Sequence, residues 1–399
     1  MHRFVQTFLT LLITLIGVTA AINAFIDPYE QFHFTSVDGI NSEKYNGGSR
    51  ISKSIKVTTH QFSTLIMGTS RAEIGFSTSH LAWQERPVYN LSLNAASMDE
   101  VYKVFQYARA QHSPKVLFLS VDLLMFNRHN KLPIDFERSL FSGISPFHSA
   151  IQSLLGFDTL NQSRKTFRRN IKGIKSYYTP SGQRIGQYVF KKPITKYGQR
   201  ALFWNALTSQ YIQNTFTYKN FVFDPKKMLA LKNIIHICYK EHIKLYIIIP
   251  PIHALQLETM VQMNLWHDFE RMLRDILSIA QHTNTPVYDF TSWEGINAES
   301  LPHPQDIHKH MTWYWEASHF KETLGNKVIK AVLTDKKEEA FGLLLNTQHI
   351  DAYLKQKRSS RALYLKRHQY DIQSLWRLLQ KHGVSINPTP FEHYSQNTL

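Results

Sequence analysis

Two short segments, far apart in the chain, carry residue types that could do acyl-transfer chemistry together. The first, LIMGTSRAEIGF (Leu65 to Phe76), reads as a buried strand that stops at Gly68 and delivers Ser70 to a strand-to-helix turn. The second, YWEASHFKETLG (Tyr314 to Gly325), places Glu316 three residues before His319, where a C-terminal helix is expected to begin near Ser318. A serine on a sharp turn, a histidine to take its proton and a carboxylate to orient the imidazole form a nucleophile–base–orienter set. The competing reading of Ser70 is an N-cap for a helix starting at Ala72, a position that favours serine.

Positioning such a set requires a scaffold, and the hydrophobic pattern supplies one. Apolar runs suited to buried parallel strands occur at 63–68, 88–93, 115–122, 244–250 and 286–290, with helical patterns at 98–112, 226–242 and 255–282. Nearly all-apolar strands alternating with helices predict an α/β fold, a three-layer parallel sheet covered on both faces. In such sheets ligands sit at the carboxyl ends of the strands. Ser70 follows the first strand, Asn94 the second, Asp122 ends the third and His253 follows the fourth. His253 could face the site or cap the next helix; Asp122 and Asp289 could orient loops at that edge. The α/β domain is expected over 61–333. Within it, 123–225 breaks the alternation as a basic insertion or lid, with about fifteen Lys or Arg against four acids. A basic helical tail follows over 334–399, its second helix striped by Ile372, Leu375, Trp376 and Leu379 for packing.

The chain has 399 residues and a formal charge of +16, compatible with an anionic lipid or polymer. No zinc-finger, helix-turn-helix or ribonucleoprotein pattern appears, so nucleic acid is the weakest partner. The single cysteine, Cys238, falls in an apolar helix pattern. His303, His308 and His310 lack the i, i+4 spacing of a helical metal site, and neither a metal nor an organic cofactor is expected. Residues 4–26 run without a charge, long enough to cross a hydrocarbon core, and predict a transmembrane anchor; Val18-Thr19-Ala20 leaves cleavage as a signal peptide open. Arg3 predicts an N-terminus in the cytoplasm and everything from Asp27 onward outside that membrane. Residues 27–60 read as a polar juxtamembrane stalk.

The string from GTSRAEIGF through VYNLSLNAAS to FLSVDLLMFN, with PPIHALQLE and WEASH, resembles the SGNH (GDSL-type) hydrolase superfamily over residues 60 to 360. It is most similar to that superfamily's membrane-anchored cell-envelope branch, which includes an uncharacterised bacterial group. The resemblance implies Ser70 as nucleophile with its own N–H as an oxyanion donor, His319 as base, and Glu316 where the family usually has Asp. It also implies an esterase or O-acyltransferase acting on an acylated envelope glycan or polymer. Three features depart from the pattern. Thr69 replaces the Asp before the nucleophile, Arg71 follows it, Ala95 stands for Gly after Asn94, and Ser120-Val121-Asp122 replaces the block that carries the oxyanion asparagine. Asn94 or Asn127 could substitute for that donor, and Arg71 could stabilise negative charge. The alternative function is a catalytically inactive scaffold on the same fold.

Overall fold

A computed structural model describes residues 1–334 and 341–391. Helices α1 (His2–Ile26) and α2 (Arg50–Thr59) come first. β1 (Thr64–Met67), α3 (Ser70–Gly75), β2 (Val88–Asn90), α4 (Met98–Gln111) and β3 (Val116–Ser120) then alternate. Before the next strand come α5 (Ile134–Glu137), α6 (Pro146–Leu155), α7 (Phe157–Ile171), α8 (Gly186–Tyr197), α9 (Gln199–Ala206) and α10 (Pro225–Lys240). Two π-helical segments, Leu207–Ile212 and Thr215–Lys219, lie between α9 and α10. β4 (Lys244–Ile249), α11 (Ala254–Gln262), α12 (Trp266–Ala280), β5 (Val287–Asp289), α13 (Glu322–Leu333), β6 (Leu343–Leu344), α14 (Ile350–Arg367) and α15 (Gln369–Lys381) complete the chain.

The strands form one sheet in the order β2-β1-β3-β4-β5-β6, parallel except for β6. The first five follow the 2-1-3-4-5 order of doubly wound sheets. β1 and β3 are buried along their whole length and β4 from Leu245 onward, as strands covered on both faces must be. The fold is therefore the expected α/β class with a mostly parallel sheet. The antiparallel edge strand β6 has only two residues, too few to leave a periodic signal. Residues 255–282 form two helices rather than one. Asn264 takes a left-handed conformation (φ 61°) after α11, and the Leu265 N–H closes on the Met260 carbonyl at 2.9 Å, a helix stop that asparagine tolerates.

The chain divides into two units: residues 1–62, 103–113 and 132–184 in one, and 63–102, 114–131 and 185–399 in the other. The basic insertion is thus shared between them, and the sheet belongs wholly to the second. In the first unit α1 is long and apolar enough to span a membrane. The polar 27–60 region contains α2, capped by the Ser49 hydroxyl accepting from Ser52 N–H at 3.2 Å. Its Ile51 and Ile55 pack with Tyr29 and Leu140 in a small core. In the second unit the described tail packs onto its own unit. Arg361 forks onto the buried Glu258 of α11 at 2.7 and 2.8 Å, and Ile372, Leu375 and Leu379 are buried. The parts of the tail at 335–340 and 392–399 lie outside the described residues.

One close backbone contact fixes the helices that flank the chemistry. A Cβ built on Gly325 of α13 would sit 1.8 Å from the carbonyl oxygen of Gly75, the last residue of α3. A Cβ on Gly75 would lie 1.9 Å from the Phe320 ring. Overpacking of this kind typically costs about 1–3 kcal/mol and moves the backbone. Gly325→Ala is expected to lower the unfolding free energy by that amount, read as a lower denaturant midpoint at an unchanged m-value. It is also expected to weaken any reactivity of Ser70, because α3 carries Ser70 and the α13 entry carries His319.

Candidate active site

The carboxyl end of β1 delivers Ser70 as the first residue of α3, with Thr69 as the N-cap. Only glycine fits before it: a Cβ on Gly68 would approach both Cβ and the carbonyl oxygen of Ser120, on the neighbouring strand, at 2.8 Å. Ser70 is half-buried and so reachable, whereas Glu316 and His319 are buried.

His319 lies in a closed loop rather than on the helix. An antiparallel bridge joins Tyr314 to Phe320, and Trp315 N–H donates to the His319 carbonyl at 2.9 Å, so α13 starts at Glu322 instead of near Ser318. This turn folds Glu316 back onto the imidazole. His319 Nδ1 bonds Glu316 Oε1, and Ser318 N–H donates to Glu316 Oε2 at 2.8 Å. The other ring nitrogen, Nε2, lies 2.9 Å from Ser70 Oγ. With Nδ1–H donating to the carboxylate, Nε2 is left as the acceptor for the serine hydroxyl, the tautomer a general base needs.

The loop is clamped from outside. The buried Gln199 amide at the start of α9 donates to the carbonyls of Tyr314 (2.5 Å) and Trp315 (3.0 Å) and accepts from Met311 N–H at 2.6 Å. Phe190 of α8 stacks on Trp315 and lies 5.6 Å from the His319 ring. Beneath Ser70 lies a buried polar knot. Asp122 accepts from Thr69 Oγ1 at 2.7 Å and pairs with Arg71 Nη1 at 3.7 Å. Arg71 also donates to the Ser318 carbonyl (3.0 Å) and to the Tyr211 hydroxyl (3.2 Å), which lies 2.5 Å from Ser318 Oγ. Asp122 thus holds both neighbours of the serine, and Arg71 ties the serine turn to the histidine loop.

Asn94 and Ala95 lie in an exposed turn after β2, where Leu93 N–H bonds the Gly68 carbonyl at 3.0 Å beside the end of β1. Ala95 adopts φ 53°, the left-handed conformation that favours glycine, at a cost of about 1 kcal/mol. The turn therefore forms with alanine in the left-handed position. Asn127 is buried and bridges its own loop to the segment before α10, donating to the Thr217 carbonyl and accepting from His129 and Val222 N–H. His253 caps α11: Nδ1 accepts from Leu255 N–H at 3.2 Å and Nε2 bonds the Glu299 carbonyl at 2.8 Å. Burial holds its pKa down at about 4, against the help of the Glu299 carbonyl. His303, His308 and His310 are exposed. Among the described residues no group of three His, Cys, Asp or Glu is placed to hold a metal. Tyr211 and Gln199 carried no motif, because both come from the irregular basic insertion, where spacing gives no signal, and Ser318 stood inside the histidine segment with no role of its own.

No protein-family model matches the chain, and no curated protein matches it significantly in sequence.

Two predictions test this architecture. Asp122→Asn leaves the Arg71 charge buried without its counter-ion and is expected to cost about 3 kcal/mol in urea unfolding. The exposed Asp306→Asn, as control, is expected to cost almost nothing. The second concerns acid. The folded pKa of His253 is about 4 against an ordinary 6.5, so the unfolded chain binds the extra proton first. The stability at stake is complete above pH 6.5 and is lost as pH falls toward 4, by up to about 3 kcal/mol. Unfolding free energies measured across that window are expected to fall more steeply in the wild type than in His253→Gln.

Proposed function

We propose that this chain is a membrane-anchored, SGNH-like esterase or O-acyltransferase that acts through Ser70, His319 and Glu316. The observation that carries the reading is the unbroken hydrogen-bonded chain from Ser70 Oγ through both imidazole nitrogens to a buried carboxylate. In this reading Ser70 Oγ attacks the ester carbonyl while its proton passes to His319 Nε2. Glu316 holds the imidazole in the required tautomer and stabilises the imidazolium. His319 then returns the proton to the departing alkoxide, leaving an acyl group on Ser70. A water, or the hydroxyl of an acceptor sugar, is deprotonated by the same Nε2 and releases the acyl group.

The backbone N–H groups of Ser70 and Ala95 are the oxyanion donors the resemblance implies, with Asn94 beside them. Arg71 is buried against Asp122, Tyr211 and Ser318, so its role is to fix the serine turn and supply positive potential rather than to grip a polymer. α1 would anchor the chain with the sheet unit outside a bacterial inner membrane, and the basic surface would steer an anionic, acylated envelope glycan or polymer.

A second reading, an envelope scaffold without turnover, is favoured by Asn127. Asn127, one of the two asparagines that could replace the missing oxyanion donor, is bonded to Thr217, His129 and Val222 instead, and losing one such donor costs about 10²–10³ in rate. A fluorophosphonate probe on the full chain in detergent separates the two. Labelling is expected in the wild type, abolished in Ser70→Ala and slowed about 10⁴-fold in Glu316→Gln. A folded wild type that neither labels nor cleaves a small activated ester would leave the scaffold reading standing.

A further inference from the structure

Within the first unit, α6 and α7 are built inside out. In α6, Ser149 and Ser153, at i and i+4, are buried. Phe147, Ile151 and Leu155, at i, i+4 and i+8, are exposed; Phe147 retains 74% of its surface. In α7 the buried residues are again small or polar, among them Thr159, Ser163 and Thr166, while Phe157, Phe167 and Ile171 are exposed, Phe157 by 73%. Both helices pack against α1, which buries Thr19 and Asn23 and turns its leucines and phenylalanines outward. Asn23 is the junction. Its amide donates to the carbonyls of Leu154 (2.9 Å) and Gly156 (3.2 Å) at the α6–α7 corner and accepts from Ser163 Oγ at 2.9 Å. A water-facing bundle buries its apolar stripes; here hydroxyls and an amide are inside and the apolar side chains outside, the pattern of helices packed in lipid.

We infer that α6 and α7 form a membrane-embedded foot seated in the headgroup and upper acyl region of an anionic bilayer beside α1. The inference rests on the proposed anchoring by α1 and extends it to a segment 120 residues and more away. Length excludes a second crossing: α6 has ten residues, about 15 Å of helix. Depth follows from Asn23, which lies three residues, about 4.5 Å, from the end of α1 and fixes the corner at that level. Charge identifies the lipid. Arg164, Arg168 and Lys172 are exposed at i, i+4 and i+8 along α7, beside the ridge of Phe167 and Ile171, which suits anionic phosphates above an acyl layer. The continuous apolar surface of α1 supplies the adjoining interface.

The test uses the full chain in nanodiscs, in a Cys238→Ala background, with an environment-sensitive NBD label at single cysteines. Phe157→Cys and Phe147→Cys report the foot, Ile13→Cys the anchor and Leu81→Cys, on a 94% exposed residue, the aqueous phase. The expected result is blue-shifted emission at 147 and 157, quenched most by lipids with nitroxides near the headgroup. Ile13→Cys should be quenched most by nitroxides deep in the chain. Blue shift at the foot is expected to be larger in discs containing phosphatidylglycerol than in pure phosphatidylcholine and reduced by Arg164→Gln with Arg168→Gln. Water-like emission at 147 and 157 with a lipid-quenched label at 13 would overturn the foot and leave the anchor intact. Blue-shifted emission at 147 and 157 that no lipid nitroxide quenches would overturn it too, showing a protein cover. Water-like emission at 13 as well would remove the anchor on which it rests.

Discussion

Ser70 and His319 can share a proton across 249 residues of chain because two glycines let backbones meet where any side chain would hold them apart. Gly75 ends the helix that begins with the serine, and Gly325 lies in the first turns of the helix that follows the histidine. Their contact sets the spacing between the two segments, and Phe320, seated on Gly75 and 5.4 Å from Phe76, fills the space around it. Hydrogen-bond geometry at Nε2 tolerates a few tenths of an ångström, so the apolar contact behind it must be at least that well defined.

The second layer of restraint is electrostatic. Arg71 and Asp122 are both buried, and a pair of that kind seldom stabilises a fold by itself, because desolvating two ions offsets most of their attraction. What the pair does supply is direction. Through Thr69, Tyr211 and Ser318 it ties together the turn after β1, the end of β3, the π-helical segment after α9 and the histidine loop. Four chain segments that share no local sequence relation are thereby held in one arrangement.

The sequence displayed the parts of this arrangement that depend on local rules. Alternating apolar runs announced a parallel sheet because strands buried on both faces need continuous hydrophobicity, and Gly68-Thr69-Ser70 announced a strand end because glycine and hydroxyl residues terminate strands and start helices. Glu316 and His319 were visible as chemistry but not as a loop, since the bridge from Tyr314 to Phe320 depends on clamping by Gln199, over a hundred residues away. For His253 the sequence allows two roles, and its environment of Phe203, Tyr314 and the Glu299 carbonyl, all distant in sequence, gives it the capping one. The first unit was the least legible. Its helices carry hydroxyls where a core would be expected and aromatics where solvent would be expected, so periodicity pointed to helices without telling which face was inward.

The separation between serine and histidine also has a temporal side. A polypeptide made from its N-terminus at roughly 5–20 residues per second exposes Ser70 tens of seconds before His319 leaves the ribosome. Throughout that interval the serine is an ordinary alcohol, with no base beside it and no Ser318 carbonyl for Arg71 to grip. The hydrogen-bonded set around the serine is completed only by the arrival of the last third of the chain.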